Sequence, residues 1–228
     1  HTDVDSKTGV CPTCKYQLTA GISGVGTAKY FDNIDDAFTA ALSAENNGCT
    51  LTLYKDCELS QNIVIGNATV TVDMNGHSIL LAYRIKVNDG GVLYLKNSGE
   101  NGSIETEIDV NKGGTLINGT ADDSRSAVSV FGVTADAAKR VEIYGGSYEG
   151  LTVNNGTSGI ALYGGSYESI NTNDLTDSTP VSALLAKGYA FATLNSVTHL
   201  PESIVDGSET NLNPGLENVM VVAHTHTY

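Results

Sequence analysis

Three residues near the start of the chain have the types and the spacing of zinc ligands. Cys11 and Cys14 form a CxxC pair, and His1 precedes that pair. Thiolates and imidazoles are the usual ligands of tetrahedral structural zinc, although a complete site needs a fourth ligand. We therefore expect a structural zinc site at His1, Cys11 and Cys14. A small disulfide between the two cysteines, or two free thiols, are the alternatives.

The two ends of the chain carry similar histidine phrases. His226-Thr227-Tyr228 resembles His1-Thr2-Asp3 in residue type and order. This pattern predicts that the chain is one module of a tandem array, in which a histidine phrase followed by a CxxC pair joins each module to the next. Neighbouring domains of a longer parent chain are therefore expected partners.

A second group of candidate residues combines tyrosines with an acidic side chain. Tyr94, Tyr144 and Tyr163 each follow an apolar residue in an alternating segment, as does Tyr54. Alternation with a period of two places such tyrosines on the outer face of a strand. Exposed aromatic rings can stack on sugar faces, and Glu142 would supply hydrogen bonds. The alternative is structural, because tyrosine also suits a half-buried strand surface.

Glu149 and Glu168 occupy equivalent positions in two copies of one phrase, Tyr-Gly-Gly-Ser-Tyr-Glu. Such a pair could approach the separation of about 5 Å that retaining glycosidases use. An acidic position repeated on neighbouring structural units gives the same pattern without catalysis, and the sequence has no long insertions that would build a groove. We therefore expect a protein that is not an enzyme, with no catalytic residues.

Composition excludes two classes of function. With 12 Lys and Arg against 26 Asp and Glu, the chain has a formal net charge of -14. Nucleic-acid binding is excluded on electrostatic grounds, because phosphate contacts need clustered cations. Membrane insertion is not expected either, since no stretch has the roughly 18 apolar residues that a spanning helix needs.

The elements that must position these residues are helical at first and extended afterwards. From Asp32 to Glu45 apolar residues recur at helical spacing, with Asp32 or Asn33 as the N-cap, which predicts one amphipathic helix. After this segment the period is two, which predicts short strands. Cys49 and Cys57 share the inward parity of the first strand, so we expect buried thiols, with a disulfide between them as the alternative.

Internal repeats indicate how the strands are arranged. Residues 85–93 match residues 108–116 at six of nine positions. The phrase at residues 144–149 recurs unchanged at residues 163–168. Repeats at such regular intervals, with turns rich in Gly and Asn, are typical of a solenoid.

The repeats predict an all-β fold, a right-handed single-stranded parallel β-helix with an N-terminal capping α-helix. An amphipathic helix across the first coil would cover core and strand edges that an open end exposes. About seven coils are expected from the repeat length. Strand parity places four repeated apolar residues inside the coils, namely Leu93, Leu95, Ile143 and Leu162.

Several phrases together resemble a known family. They are Tyr30-Phe31 with Ala40-Ala41, Cys49-Thr50-Leu51-Thr52-Leu53-Tyr54-Lys55-Asp56, Val72-Asp73-Met74-Asn75-Gly76-His77-Ser78-Ile79, and Val141-Glu142-Ile143-Tyr144-Gly145-Gly146. They look like the pectin-lyase-like β-helix modules of surface proteins from Gram-positive bacteria. The resemblance implies a secreted or wall-attached, multi-domain, adhesive protein. Its superfamily includes polysaccharide lyases and hydrolases, but fragments similar to the polygalacturonase signature occur here in the wrong order.

These observations combine into one expectation for organisation and function. Residues 1–26 are expected to form a linker with the CxxC knuckle, residues 27–222 the β-helix, and residues 223–228 the start of a following linker. The expected function is that of a non-catalytic surface module of a bacterial adhesin-like protein, which binds a glycan or host glycoprotein or acts as a spacer. A polysaccharide lyase or glycoside hydrolase is the alternative. We expect an extracellular, wall-attached monomer without cofactors other than zinc.

Overall fold

The computed structural model describes residues 3–80, 83–154, 156–172, 181–195, 197–205 and 215–224. These residues contain one α-helix, α1 (Ile34–Ala41), and three short 3-10 helices at Ala44–Asn46, Ser124–Ser126 and Val181–Leu184. In this part of the chain, no helix has the length and apolar character needed to cross a membrane.

Nineteen short strands are the main secondary structure of the described residues. In chain order they are β1 (Ala20–Ser23), β2 (Lys29–Phe31), β3 (Thr50–Leu53), β4 (Cys57–Glu58), β5 (Ile63–Ile65), β6 (Thr69–Asp73), β7 (Ser78–Leu80), β8 (Ile85–Val87), β9 (Val92–Lys96), β10 (Ser103–Val110), β11 (Thr115–Asn118), β12 (Ser129–Ala135), β13 (Arg140–Ile143), β14 (Ser147–Val153), β15 (Ile160–Leu162), β16 (Ser166–Thr172), β17 (Tyr189–Leu194), β18 (Pro201–Ile204) and β19 (Leu216–Ala223).

The strands form two sheets whose members come from successive turns of the chain. The first sheet has the order β15-β13-β11-β9-β6-β3-β1-β2, and its neighbours from β3 to β15 are parallel. The second has the order β18-β17-β19-β16-β14-β12-β10-β7-β4, with β5 and β8 attached through β10. The predicted parallel β-solenoid is therefore confirmed.

The solenoid has about 5 turns, fewer than the roughly seven coils expected from the repeat length. The two ends explain the difference, because there the chain folds back instead of coiling. At the N-terminal end β1 pairs antiparallel with both β2 and β3. At the C-terminal end β19 pairs antiparallel with β16 and with β17, and β18 pairs antiparallel with β17. Strand β1 thus belongs to the sheet, although its residues fall in the segment expected to be a linker.

Apolar ladders fill the interior of the coils. Leu93 of β9 lies opposite Leu116 of β11 in parallel register, so the two copies of the repeated phrase pair position for position. The inward positions predicted from strand parity are confirmed, since exposure is 0% for Leu93, 1% for Leu95, 0% for Ile143 and 0% for Leu162. Burial of such stacked side chains is the main source of stability in a solenoid.

Asparagine and glycine form the turn that follows strand β8 and its counterpart after β10. The Asn111 side chain donates a hydrogen bond from Nδ2 to Oδ1 of Asn88 in the preceding coil, at 2.8 Å. Two residues further on, Gly90 and Gly113 have φ of 72° and 77°, a region that favours glycine. The matching phrases in the sequence therefore describe one turn geometry that is stacked from coil to coil.

The predicted helix is present and packs on the first strands. Asn33 is the N-cap, and its Oδ1 accepts a hydrogen bond from the Asp36 N–H at 2.8 Å. The apolar side of α1 is buried and joins the main core next to β1, β2 and β3, through Ile34, Ala37, Phe38 and Ala41. The helix ends at Ala41, before the predicted end at Glu45. A separate 3-10 helix at Ala44–Asn46 includes Glu45.

No disulfide links any of the four cysteines, which all lie in the described part of the chain, so the alternative of a disulfide between Cys49 and Cys57 is wrong. Cys49 is buried as predicted and lies next to the Ala41 carbonyl oxygen, 3.8 Å from Sγ. Cys57 is half-buried. Burial raises the pKa of both thiols, to about 12 for Cys57.

Candidate functional site

The N-terminal segment brings two of the three predicted zinc ligands together in one tight turn. The Lys15 N–H donates to the Cys11 carbonyl at 2.8 Å, and the Cys11 N–H donates to the Tyr16 carbonyl at 2.9 Å. Hydrogen bonds from the backbone and thiol of Cys14, and from the Thr13 backbone, lower the pKa of the Cys11 thiol. His1 lies outside the described residues. Within those residues, no cluster of three or more metal-ligating side chains occurs.

Tyr54 is not exposed, so the prediction of an outward, accessible Tyr54 is wrong. It is only 4% exposed, because the N-terminal segment folds over it. Its hydroxyl donates to the Ser6 carbonyl at 3.0 Å, and a Cβ atom at Gly9 would overlap the ring. Burial raises the pKa of Tyr54 to about 12. Strand parity places the side chain outward, but a remote segment removes it from solvent.

The four other predicted residues, Tyr94, Glu142, Tyr144 and Tyr163, lie together on the outer side of the first sheet. Together with Arg140, which was not predicted, they form what we call the tyrosine face. Tyr94 and Glu142 both pair with Ile117, so they occupy the same row with β11 between them. Tyr144 and Tyr163 follow β13 and β15 directly, on neighbouring coils. The structure therefore brings the four predicted residues onto one surface.

Polar groups on the tyrosine face bind one another. Arg140 donates to Oε1 of Glu142 from Nε at 2.8 Å, and its Nη2 lies 2.7 Å from the same oxygen. The Tyr144 hydroxyl donates to Oε2 of Glu142 at 3.2 Å. These contacts leave the Glu142 side chain 13% exposed. The hydrogen bond with Glu142 raises the pKa of Arg140, and burial followed by the Glu142 charge raises the pKa of Tyr144 to about 12.

Aromatic rings on the tyrosine face also bind one another. Tyr144 and Tyr163 are stacked with ring centroids 4.5 Å apart and planes at 8°. Tyr163 in turn meets the edge of Tyr189, with centroids 5.7 Å apart. Sugar stacking needs a free ring face, and these contacts occupy ring surface on both residues. Tyr94, at 38% exposure, is the most accessible aromatic of the predicted set.

The second sheet carries a different surface, a groove with a volume of about 780 Å³. One side of the groove is the outer face of β10, β12, β14 and β16. The other side is formed by the turn between β17 and β18 together with β19, through Leu194, Asn195, His199 and Asn218. A smaller depression of about 230 Å³ adjoins the groove and shares Phe131 and Glu149 with it.

A row of serines runs along the groove, one from each coil. Ser103 pairs with Ser129, and Ser147 pairs with Ser166, in the parallel ladders. The Ser166 hydroxyl donates to Ser147 Oγ at 3.0 Å, and the Ser147 N–H donates to Ser129 Oγ at 3.2 Å. Successive rungs of such a ladder are about 4.8 Å apart. The row therefore offers one hydroxyl per coil.

A second row lies two residues further along each strand and consists of Glu105, Phe131, Glu149 and Glu168. The three glutamates are exposed, and Phe131 is 39% exposed. Within the described part of the chain, Glu105, Glu149 and Glu168 form no ion pair with any Lys, Arg or His.

Hydrogen bonds within the turn fix the overhanging side of the groove. Asn195 Oδ1 accepts from the N–H groups of Val197 and Thr198 at 3.0 Å and 2.9 Å. The Asn195 N–H donates to the Leu200 carbonyl at 3.0 Å, and the His199 N–H donates to the Asn195 carbonyl at 2.9 Å. An Asx turn of this kind holds its residues in one conformation.

Beneath the groove, two buried tyrosines explain why the phrase Tyr-Gly-Gly-Ser-Tyr-Glu repeats. Tyr148 and Tyr167 stack in the core with centroids 5.0 Å apart. Their hydroxyls donate to the Gly145 and Gly164 carbonyls, each at 3.0 Å. Burial raises the pKa of both tyrosines. The phrase therefore places one tyrosine inside and the following glutamate outside, in the groove.

Comparison of the chain with protein-family models, with curated proteins and with solved structures gives no match.

The groove was not predicted from the sequence, although one signal for it was present. A Ser-x-Glu pattern occurs at residues 103–105, 147–149 and 166–168, and Ser-x-Phe occurs at residues 129–131. With a period of two, both residues of each pattern point outward from the same strand. The overhanging turn has no comparable signal, because it comes from a separate part of the chain.

Proposed function

We propose that this chain is a non-catalytic module that binds an extended glycan in the groove on the second sheet. The observation that supports this function is a pair of parallel rows that faces a space of about 780 Å³. One row consists of serine hydroxyls, and the other consists of three carboxylates and one phenyl ring. Carbohydrate sites combine hydrogen-bonding groups in fixed positions with an aromatic ring for the apolar sugar face.

The spacing of the rows suits a repeating ligand. Three of the four coils present a serine and a glutamate and the fourth a serine and a phenylalanine, and the coils follow one another at about 4.8 Å. A polymer of similar sugar units can therefore make similar contacts on successive coils. Rigid strands also hold these groups in place before binding, which lowers the entropic cost of association.

The setting of this module is proposed from the sequence. The resemblance to pectin-lyase-like modules of Gram-positive surface proteins supports an extracellular, wall-attached, adhesin-like parent chain with tandem neighbouring domains. A monomeric module and a host glycoprotein as carrier of the glycan fit the same proposal. A role as spacer between other domains is the alternative if no saccharide binds.

Catalysis is the second candidate function, because Glu149 and Glu168 are exposed on adjacent coils within the groove. Glycosidases place two carboxyl groups on either side of the scissile bond. Here both carboxylates project from the same sheet and would contact a ligand from the same side. If the chain released reducing ends from a polysaccharide and Glu149→Gln abolished this release, the protein would be an enzyme and not a binding module.

A glycan array with two matched variants tests the proposed binding site. Phe131 and Tyr94 are exposed aromatics of nearly equal exposure, 39% and 38%, on opposite sheets. We expect saturable binding that Phe131→Ala abolishes and Tyr94→Ala retains. Loss of binding with Tyr94→Ala alone would place the site on the tyrosine face. No binding to any glycan would leave the spacer as the better account.

We also propose that Cys11 and Cys14 are two ligands of a structural zinc ion. Their turn and the lowered pKa of the Cys11 thiol favour the thiolate form that zinc binds. Metal analysis should find one equivalent of zinc in the wild-type chain and none in Cys11→Ser/Cys14→Ser. Cys49→Ser is the control that keeps the metal. A disulfide between Cys11 and Cys14, detected by mass spectrometry, would contradict this proposal.

A further inference from the structure

The charge of the groove restricts which glycan it can bind. Three glutamates, Glu105, Glu149 and Glu168, face the groove, and none of the described residues that line it is Lys or Arg. His199, on the side formed by the turn between β17 and β18, is the one lining residue in this described set with a basic side chain. The groove is therefore strongly acidic.

The arginines of the chain are all engaged with acidic groups outside the groove. Each of the three arginines of the chain forms an ion pair: Arg84 with Glu107 and Asp109, Arg125 with Asp123, and Arg140 with Glu142. Lys29 and Lys96 pair with Glu45 and Asp73. The groove glutamates have no such partner among the described residues.

Two of the unpaired glutamates are also close neighbours. The strand pairs Tyr148 with Tyr167, so Glu149 and Glu168 follow on adjacent coils in the same row. Like charges at such positions repel and destabilise a sheet. A ligand with positive charges would remove this repulsion, whereas an anionic ligand would add to it. Uronate polymers and sialylated glycans are therefore disfavoured.

We propose that the groove binds a saccharide that carries free amino groups, a chain of glucosamine-type units whose ammonium groups pair with Glu105, Glu149 and Glu168. This inference rests on the proposed function and names the class of its ligand. The serine row hydrogen-bonds sugar hydroxyls, and Phe131 packs on an apolar sugar face. A charge-assisted hydrogen bond between ammonium and carboxylate is about twice as strong as a neutral one.

The positions of the carboxylates fit a chain that lies along the solenoid axis. Glu149 and Glu168 are one coil apart, and Glu105 is two coils from Glu149, with Phe131 between them. At about 4.8 Å per coil, the row from Glu105 to Glu168 spans about 14 Å, enough for several sugar units. The ligand is thus an oligomer or polymer, and a single amino sugar would reach only part of the row.

Isothermal titration with matched oligosaccharides tests this inference. The probes are a glucosamine hexamer with free amines, the fully N-acetylated hexamer of the same linkage, a galacturonate hexamer and hexalysine. We expect the free amine to bind at least about tenfold more tightly than the acetylated hexamer, with affinity that falls as salt rises. We expect no binding of the galacturonate hexamer.

Isosteric Glu→Gln variants test whether affinity for the free-amine hexamer depends on the groove carboxylates. Glu149→Gln/Glu168→Gln should reduce affinity for the free amine at least about tenfold, because two charge-assisted pairs are lost. The same variant should leave the acetylated hexamer unaffected. Glu58→Gln is the matched control, since Glu58 is exposed on the same sheet but does not line the groove.

The outcomes separate failure of this inference from failure of the proposed function. Equal affinity for the acetylated and free hexamers, lost in Phe131→Ala, would overturn the inference and leave glycan binding intact. No binding of any saccharide would overturn both. Hexalysine that binds as tightly as the free amine would also overturn the inference, because charge alone would then decide and a basic peptide would be the better ligand class.

Discussion

The two outer surfaces of the solenoid differ in where their polar groups find partners. On the tyrosine face, Glu142 binds Arg140 and Tyr144, and Tyr144 stacks on Tyr163. In the groove, Glu149 and Glu168 face open space without ion pairs to described residues. Both surfaces contain repeated outward residues. A ladder whose groups satisfy one another stabilises the fold, whereas a ladder whose groups face a void is available to a ligand.

The difference arises from what lies beside the outward rows of each sheet. Beside the groove, strands β17 to β19 fold back in antiparallel order and carry the turn with Asn195 and His199 to the edge of the solenoid. Concave sites of this kind remove much of a ligand from water, which strengthens its polar contacts. On the tyrosine face, the polar groups and rings contact neighbours in their own sheet, and Tyr163 also contacts Tyr189.

The largest expected effect comes from the core that both surfaces share. Leu93→Ala removes a fully buried side chain next to the exposed Tyr94. We expect the free energy of unfolding to fall by about 2 to 5 kcal/mol, through lost burial and a cavity. Chemical denaturation checks this value, and Val64→Ala, at a position that is 50% exposed, is the control. An unchanged midpoint for Leu93→Ala would contradict the coil register.

The second largest expected effect is a loss of stability at alkaline pH, through the buried Tyr54. Burial raises the pKa of Tyr54 from an ordinary value near 10 to about 12. The neutral phenol is therefore favoured in the folded chain, so its contribution to stability is complete below pH 10 and is lost as pH rises towards 12. Denaturation at a series of pH values should show this decline, with a smaller slope in Tyr54→Phe. A flat profile in the wild type would contradict the burial of Tyr54.

Glu142→Ala tests whether the tyrosine face contributes to stability and not to glycan binding. It leaves Arg140 without its carboxylate and the Tyr144 hydroxyl without its acceptor. We expect a loss of about 1 kcal/mol, since the Arg140 side chain is half-exposed and solvent compensates part of the lost pairing. Glycan affinity should not change. Glu149→Ala is the paired variant, for which we expect weaker binding without loss of stability; the opposite pattern would reverse the assignment of the two surfaces.

The smallest expected effect has the opposite sign. Glu168→Gln removes one of two like charges on adjacent coils and should raise the free energy of unfolding by about 0.2 to 1 kcal/mol at low salt. The gain should shrink at high salt, because salt already screens the repulsion between Glu149 and Glu168 in the wild type. Thermal melts at low and high salt measure it, with Glu58→Gln as control. A destabilised Glu168→Gln would mean that Glu168 has a structural partner and is not reserved for a ligand.

Much of the fold could be predicted from the sequence because its determinants are local or repeat. The alternation around Leu93 fixes which side of the strand faces inward, and the repeated phrase gives the register between β9 and β11. The N-cap at Asn33 likewise depends on its own neighbours. The antiparallel ends were missed because β1 and β19 pair with strands according to space left open at each end, which no repeat encodes.

The candidate sites were less predictable for a related reason. A period of two tells which side chains point out of a strand, but exposure depends on segments far away in the chain. Tyr54 and Tyr94 have the same parity in the sequence, yet residues near Ser6 and Gly9 cover Tyr54 while Tyr94 remains open. The Ser-x-Glu pattern marks the groove only once the turn between β17 and β18 is known to line the same space.

The sequence by itself therefore determined the solenoid, its inward ladders and its acidic character, because these follow from short-range alternation, repeat length and composition. Only the tertiary structure decided which outward residues are covered or paired and which remain accessible to a ligand. The N-terminal segment packs over Tyr54 and removes it from solvent. The antiparallel strands at the other end contribute the residues that complete the groove beside Glu149 and Glu168. Contacts between distant segments have no period along the chain, so they become visible only when the chain is folded.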